Sequence, residues 1–328
     1  MTKYIGRRIQ VGLAKETTRG AGAVPQIWLP ITEFSISDKV EEARSEEGVG
    51  NIADSLSKFI VEKYAAGAMN GELKMNSFGY LLLAALGQVS SGVAVDSAYT
   101  HAFSLSTSNQ HPSLSIDLND PNNVQRYRLA MLSSLSIKAE LGAVVKFESE
   151  FECKRSATAG FSNASYATES RFTKRHVHVK IADTIAGLAA ASELSIKSFT
   201  LKLNKNIVRD NALGTVQPED ILNQQISVEG DLMLNYTDET VRNYMLNGNH
   251  KALQLVITNS EDSIGAGSTK PSLTIQLPRV DFSGWEPDRG LNDIATQKIN
   301  FKGNRDVANA LDVISTCTLV NGKSSYDA

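Results

Sequence analysis

The chain has 328 residues, 41% of them hydrophobic, a length that suits two domains of about 100–200 residues each, with real cores. Its 33 basic and 36 acidic side chains are mixed along the sequence for a net charge of −3, which leaves no basic stripe for reading nucleic acid. No run reaches the roughly 18 apolar residues of a membrane span.

In chain order, MTKYIGRRIQVGLAKETTRG carries Lys3, Arg7 and Arg8 with no apolar core behind them, so no secretory leader is expected and the protein is expected to be made in the cytoplasm. Residues 1–29 read as an extended arm with scattered apolar positions such as Ile5, Ile9 and Val11. A strand is predicted at ITEFSIS, followed by an acidic run holding Glu41, Glu42, Glu46 and Glu47. MNSFGYLLLAALGQV, from Met75, reads as a short helix capped by Asn76 and stopped by Gly87. Strands follow at SLSIDL, SLSIKAEL, AVVKFESEFECK and RHVHVKIA, with a turn at Asp120-Pro121-Asn122. DTIAGLAAASEL (183–194) reads as a short turn or a linker.

SFTLKLNKN then puts Phe199, Leu201 and Leu203 on one face. QQISVEGDLMLNY does the same with Ile226, Val228, Gly230, Leu232 and Leu234, the period of a half-buried strand. YTDETVRNYMLNGNH, from Tyr236, is a second short helix capped by Thr237 and stopped by Gly248, with the cap-to-glycine spacing of the first. SLTIQLPRVDF and TQKINFKG complete the strands, and residues 311–328 read as a second arm.

Three pairs of stretches recur in the same order. Phe34 matches Phe199 at an offset of 165, the helix caps match at 161, and PSLSIDL from Pro112 matches PSLTIQL from Pro271 at 159. The ordered set points to a duplicated unit. The expected fold is mainly β, with two tandem β-sandwich or half-barrel domains, each with one short flanking α-helix. The domains are placed at 30–182 and 194–310, joined by a linker at 183–193 and flanked by arms that dock on neighbours.

No motif supports chemistry. GVGNIA (Gly48, Gly50, Ala53) fits the bare dinucleotide pattern, but a charged run precedes it where a buried strand is required. SLSK (Ser55 to Lys58) has serine–lysine acylase spacing without the companion Lys-Thr-Gly. His176 and His178 share one face of a strand as exposed residues; His101, His111 and His250 lie in unrelated contexts, so a metal would lack a third ligand. Cys153 and Cys317 are too few for a cluster or a disulfide framework. The paired glutamates read as a solvated face, not a general acid. No catalytic, cofactor or metal site is expected, and the protein is expected not to be an enzyme.

YIGRRIQVGLAKETTRGAGAVPQIWLP, FTKRHVHVKIADTIAGLAAASELSIKSFTLKLNKN and LVNGKSSY resemble the tail tube proteins, or major tail proteins, of long-tailed bacteriophages in their two-domain form. The resemblance covers essentially the whole chain through diffuse motifs. It implies sandwich-like domains with a long hairpin, whose inner sheets join around a ring. Six domains per ring, from three copies of a duplicated chain, give a pseudo-hexameric homotrimer. Rings stack into a tube in the virion tail, assembled in the host bacterial cytoplasm, through which double-stranded DNA passes without specific binding during genome ejection. The implied partners are further copies of the chain and the tape-measure, tail terminator and tail tip proteins.

Glu41, Glu42, Glu46 and Glu47 become candidates for the bore lining or for a contact between rings. The second unit carries Lys205, Arg209, Asp210, Glu219 and Asp220 at this place, so the halves are not expected to contribute equally. The alternative is a non-catalytic two-domain β-sandwich adhesin or carbohydrate-binding protein, which calls for aromatic platforms. Aromatics are only 7%, and Trp28 and Trp285 fall in non-equivalent places.

Overall fold

The computed structural model describes residues 3–52 and 54–327; Met1, Thr2, Ala53 and Ala328, and with them one residue of the GVGNIA motif, lie outside it. The fold is mainly β, with large antiparallel sheets that do not close. The first half holds β1 (Gln10–Lys15), β2 (Ile27–Leu29), β3 (Glu33–Phe34), β4 (Ser37–Arg44) and β5 (Lys58–Glu72). Helix α1 (Phe78–Leu86) follows, then β6 (Gly87–Ser91), β7 (Tyr99–Leu105), β8 (Leu114–Asn119), β9 (Val124–Glu140), β10 (Lys146–Lys154) and β11 (Ala157–Thr158). The second half holds β12 (Val177–Ala182), β13 (Ile196–Asn204), β14 (Ile207–Asp210), β15 (Asp220–Asn223) and β16 (Ser227–Asn235). After α2 (Thr240–Leu246) come β17 (Lys251–Thr258), β18 (Ser272–Asp288), β19 (Thr296–Asn304) and β20 (Thr316–Asn321).

Strand order repeats between the halves. In the first, β1 pairs with β8, β8 with β9, β9 with β10, β10 with β5 and β5 with β4. In the second, the same series runs β12, β17, β18, β19, β16, β13. Registers repeat as well. Phe151 lies between Leu132 and Gly67, as Phe301 lies between Phe282 and Gly230. A Cβ on Gly230 would fall 2.6 Å from the Phe301 ring, so the bare glycine lets that ring lie across the strand.

This register corrects one sequence match. Pro112–Leu118 leads into β8, whereas Pro271–Leu277 opens β18, whose counterpart is β9. Two short alternating strands look alike because period 2 carries no register.

The halves share one continuous apolar core and one continuous sheet. β13 pairs with the C-terminal part of β9, from Ser198 opposite Glu140 to Asn204 opposite Ser134. One sheet therefore runs β4–β5–β10–β9–β13–β16–β19–β18. Phe147, Phe151, Leu135, Ile137, Leu201, Leu232 and Ile299 face the core from it.

Parts of both expected arms pack within the chain, while residues 3–8 stay exposed. Val11 and Leu13 of β1 are fully buried. β20 bridges the halves by pairing with both β18 and β7, and buries Cys317 and Leu319. Tyr326 ends as a plug with no exposed surface: its hydroxyl donates to Asn76 O at 2.7 Å and accepts from Asn321 Nδ2 at 2.6 Å. Apolar residues too sparse to form a core of their own gain burial by joining existing sheets. Strand pairing also groups β12, before residue 183, with the second half, and the expected linker contains a 3-10 turn at Ala186–Ala189.

Both helices end at their expected glycines. Gly87 takes φ +93°, and Gly248 takes φ +60° just past the Asn247 cap, where the Asn249 amide reaches Tyr244 O at 2.9 Å. Their starts differ from expectation. Ser77, not Asn76, occupies the α1 cap, and Glu169 Oε2 accepts from the amides of Asn76 (2.7 Å) and Ser77 (2.9 Å). A carboxylate from a distant loop satisfies the orphan donors and complements the helix dipole. α2 starts after Glu239, with the Thr240 amide on Asp238 Oδ1 at 2.8 Å, so Thr237 is not the cap. All nine α1 residues are buried, whereas only Val241 is in α2.

Candidate functional site

The candidate functional surface is the continuous sheet, with one polar face, two open edges and a projecting hairpin. Because side chains alternate, the strands that send phenylalanines and leucines to the core send Ser134, Ser136, Lys138, Glu148, Glu150, Lys202 and Glu229 to the opposite face. Acids and bases compensate there. Lys138 Nζ lies 2.6 Å from Glu148, Ser134 Oγ donates to Glu150 at 3.0 Å, and Asn204 donates to Glu229 at 2.7 Å.

The sheet is open at both ends among the described residues. β4 is laddered only to β5, and every one of its residues is exposed. The last part of β18, past Val280, is laddered only to β19. The corresponding edges of the other half are the two that meet inside the chain, β13 and β9. Unpaired edges invite strand addition from another chain.

The four candidate glutamates sit on the β4–β5 hairpin. Glu41 lies opposite Glu62 and accepts from Arg209 at 3.1 Å; Glu42 pairs with Lys58 at 2.7 Å; Glu46 and Glu47 are exposed in the connecting loop. Arg209 stacks 3.7 Å over the Tyr64 ring and also reaches Glu62 at 3.1 Å. Burial, with Glu62 and Glu41 nearby and Arg209 opposing, raises the Glu152 carboxyl above its ordinary range. Of the remaining candidates, Gly87 and Gly248 follow the helix ends in left-handed backbone, whereas Asn76 and Thr237 lie before the helices without capping them.

One buried polar cluster carries no sequence motif. Lys205, 2% exposed, donates from Nζ to Ala84 O at the end of α1 (2.6 Å) and lies 3.0 Å from His111 Nδ1. Burial pushes the lysine down to about 7; burial and then Lys205 push His111 down to about 4. Arg19 ties the N-terminal loop to His111 O, Asp220 and Ile221 O. These contacts lock the β14–β15 hairpin onto the first half.

The rejected motifs fall in structural roles. Gly48 and Gly50 lie in the β4–β5 loop. His176 is buried in a 3-10 turn and accepts from the Thr173 amide at 3.0 Å, while His178 is on β12 and pairs with Glu193 at 2.9 Å. The expected shared strand face and the exposure of His176 do not hold, because the chain turns before β12 begins. No group of three or more potential metal ligands occurs among the described residues, and no helix is long and apolar enough to cross a membrane. Trp28 is buried and Trp285 packs against Tyr236, so neither forms the displayed platform an adhesin needs.

Comparison with protein families matches residues 6–303 to a family described as phage tail tube protein. No curated protein matches the chain.

Proposed function

The chain belongs to the phage tail tube protein family and is a structural component of the virion tail that self-assembles into a tube; from that premise we propose that three copies form each ring. The duplicated units divide the chain near residue 174, with β1 and β12 each opening one unit. The observation that carries this reading is the β13–β9 junction. It joins the two halves by the edges whose counterparts, β4 and the end of β18, stay open.

Repeating that junction between copies places β4 of one chain beside β18 of the next. Lys202 lies opposite Ser136 inside the chain. The matching residues between chains are Ser37 and Glu286. The contact is heterologous, so it continues from copy to copy until the rotation closes. Three copies supply six units and one unbroken inner sheet with no free edge.

The polar face of that sheet lines the bore. Several lysine–phosphate contacts together would trap DNA by counterion release. On this face Lys138, Lys146, Lys202, Lys298 and Lys302 are interleaved with Glu148, Glu150, Glu229 and Asp231, so the bases do not form an unbroken stripe. Glu41 extends this lining, while Glu42, Glu46 and Glu47 project toward a neighbouring copy. The interior is a passage for DNA during ejection, and the tape-measure, terminator and tip proteins meet the bore and the tube ends. Native mass spectrometry of released rings tests the stoichiometry. Three chains per ring supports it; six chains rejects it.

A further inference from the structure

Two hairpins of the chain share one register. Glu42 lies opposite Ile60 and Arg44 opposite Lys58 in β4–β5, as Ile207 lies opposite Asn223 and Arg209 opposite Ile221 in β14–β15. Their turns begin alike, with the Leu56 amide on Ser45 O and the Glu219 amide on Asp210 O. The β14–β15 hairpin packs on β9, whereas the β4–β5 hairpin meets the chain near its base, where Arg209 reaches Glu41 and Glu62 and the Lys63 amide donates to Val216 O. Ile207 and Ile221 close on Leu129 and Met131 of β9 in a small apolar cluster. The β4–β5 hairpin instead leaves Ile52, Phe59, Ile60 and Val61 exposed, Phe59 by 59%.

The surface that would receive it is identifiable by register. The first half breaks register between Tyr127 and Ala130, and the second between Leu277 and Val280; beyond the breaks Met131 lies opposite Glu152 and Asp281 opposite Lys302. Arg279 and Asp281 therefore hold the positions of Leu129 and Met131. Beside Arg279 opens a cavity of about 720 Å³, walled by Asp183, His250, Lys251 and Asp306; Asp281 lies at its margin, outside the lining, where it pairs with His250 and accepts from Asn304.

We propose that this cavity receives the β4–β5 hairpin of a second copy in the same ring, with Glu42 and Lys58 meeting Arg279 and Asp281. The inference rests on the ring reading above and adds a second joint to it. Glu42 and Lys58 hold the hairpin positions of Ile207 and Ile221. Four apolar side chains inside the chain thus correspond to two acids and two bases between chains. A third position agrees. Lys205, which reaches the end of α1, corresponds to Val40, and the end of α2 presents Met245 and Leu246. Val40 is 48% exposed and Leu246 58%, so apolar surface meets apolar surface.

The chemical difference has a purpose in assembly. The apolar joint holds the halves of one chain together at any salt. The charged joint steers copies into one orientation, penalises wrong ones, and is screened beyond about 8 Å at physiological ionic strength.

Cysteine pairs in the full chain test the geometry, since the native Cys153 and Cys317 are both buried. Lys58→Cys with Arg279→Cys reports the hairpin joint, and Ser37→Cys with Glu286→Cys reports the sheet edge. Both pairs are expected to oxidise to covalent species that stop at three chains. Edge bonds without hairpin bonds overturn the hairpin proposal and leave the ring reading intact. Hairpin bonds running past three chains also overturn it, since the contact would then lie between rings. Hairpin bonds stopping at three without edge bonds support it and remove the edge pairing.

Charge exchange tests the chemistry. Glu42→Lys with Lys58→Glu, and separately Arg279→Asp with Asp281→Arg, should each slow assembly about tenfold or more at low salt. All four changes together should restore it. Unchanged assembly in either two-site variant, or no recovery in the combination, overturns the proposal.

Discussion

Replacing Tyr326 with alanine removes a side chain with no exposed surface, two residues before the last of the sequence. The ring packs edge-on against Tyr80 at 5.2 Å and His101 at 4.8 Å, and lies so close to α1 that a Cβ on Gly79 would fall 2.1 Å from it. Truncating a buried aromatic of this kind costs about 3–5 kcal/mol in transfer and cavity terms. The hydroxyl adds a separable part. Tyr326→Phe keeps the ring but leaves Asn76 O and Asn321 Nδ2 without it, a loss of about 1–3 kcal/mol. Urea unfolding of the dilute chain should order the midpoints wild type, then Tyr326→Phe, then Tyr326→Ala, with unchanged slopes. Three superimposed curves would refute the docking of the C-terminal segment on its own chain and restore the arm docked on a neighbouring copy that its composition suggests.

Lys205 gives a pH signature. Its folded value of about 7 lies below the ordinary lysine value of 10.5, so the folded chain binds fewer protons than the unfolded one between them. Stability should therefore rise with pH from about 7 toward 10, by at most about 1.4 kcal/mol per unit, and Lys205→Met should flatten the rise; a flat wild-type profile would contradict the buried amine. Glu169→Gln should lower stability by about 0.5–2 kcal/mol through the α1 terminus, read by the same unfolding curves, and an unchanged midpoint would remove that cap. Glu148→Lys with Glu150→Lys should leave tubes that assemble but retain DNA, most strongly at low salt; unaltered DNA release would take this face out of the bore.

Much of the fold is legible in local pattern. The alternation through Val228, Leu232 and Leu234 gives β16 its buried face, and Gly87 and Gly248 end their helices because left-handed backbone there is cheapest for glycine. What local pattern misses is supplied from far along the chain. Glu169 sits 92 residues from the Ser77 amide that it holds. β20 needs two strands from opposite halves before it has anything to bury against. Lys205 looks like an outward loop lysine until α1 and His111 close over it. The repeated strand order is foreshadowed by Phe34 and Phe199, but strand pairing, not sequence likeness, matches β8 with β17. At the candidate surface the glutamates stand out by charge, whereas the open edges are visible only once every other strand has found its partner.

A cryo-EM reconstruction of tubes grown from the full chain tests the ring most directly. The expected map has threefold rings of six similar units, with Ser37 of one chain opposite Glu286 of the next in an unbroken inner sheet. Six chains per ring, or a β4 edge left facing solvent, would contradict it.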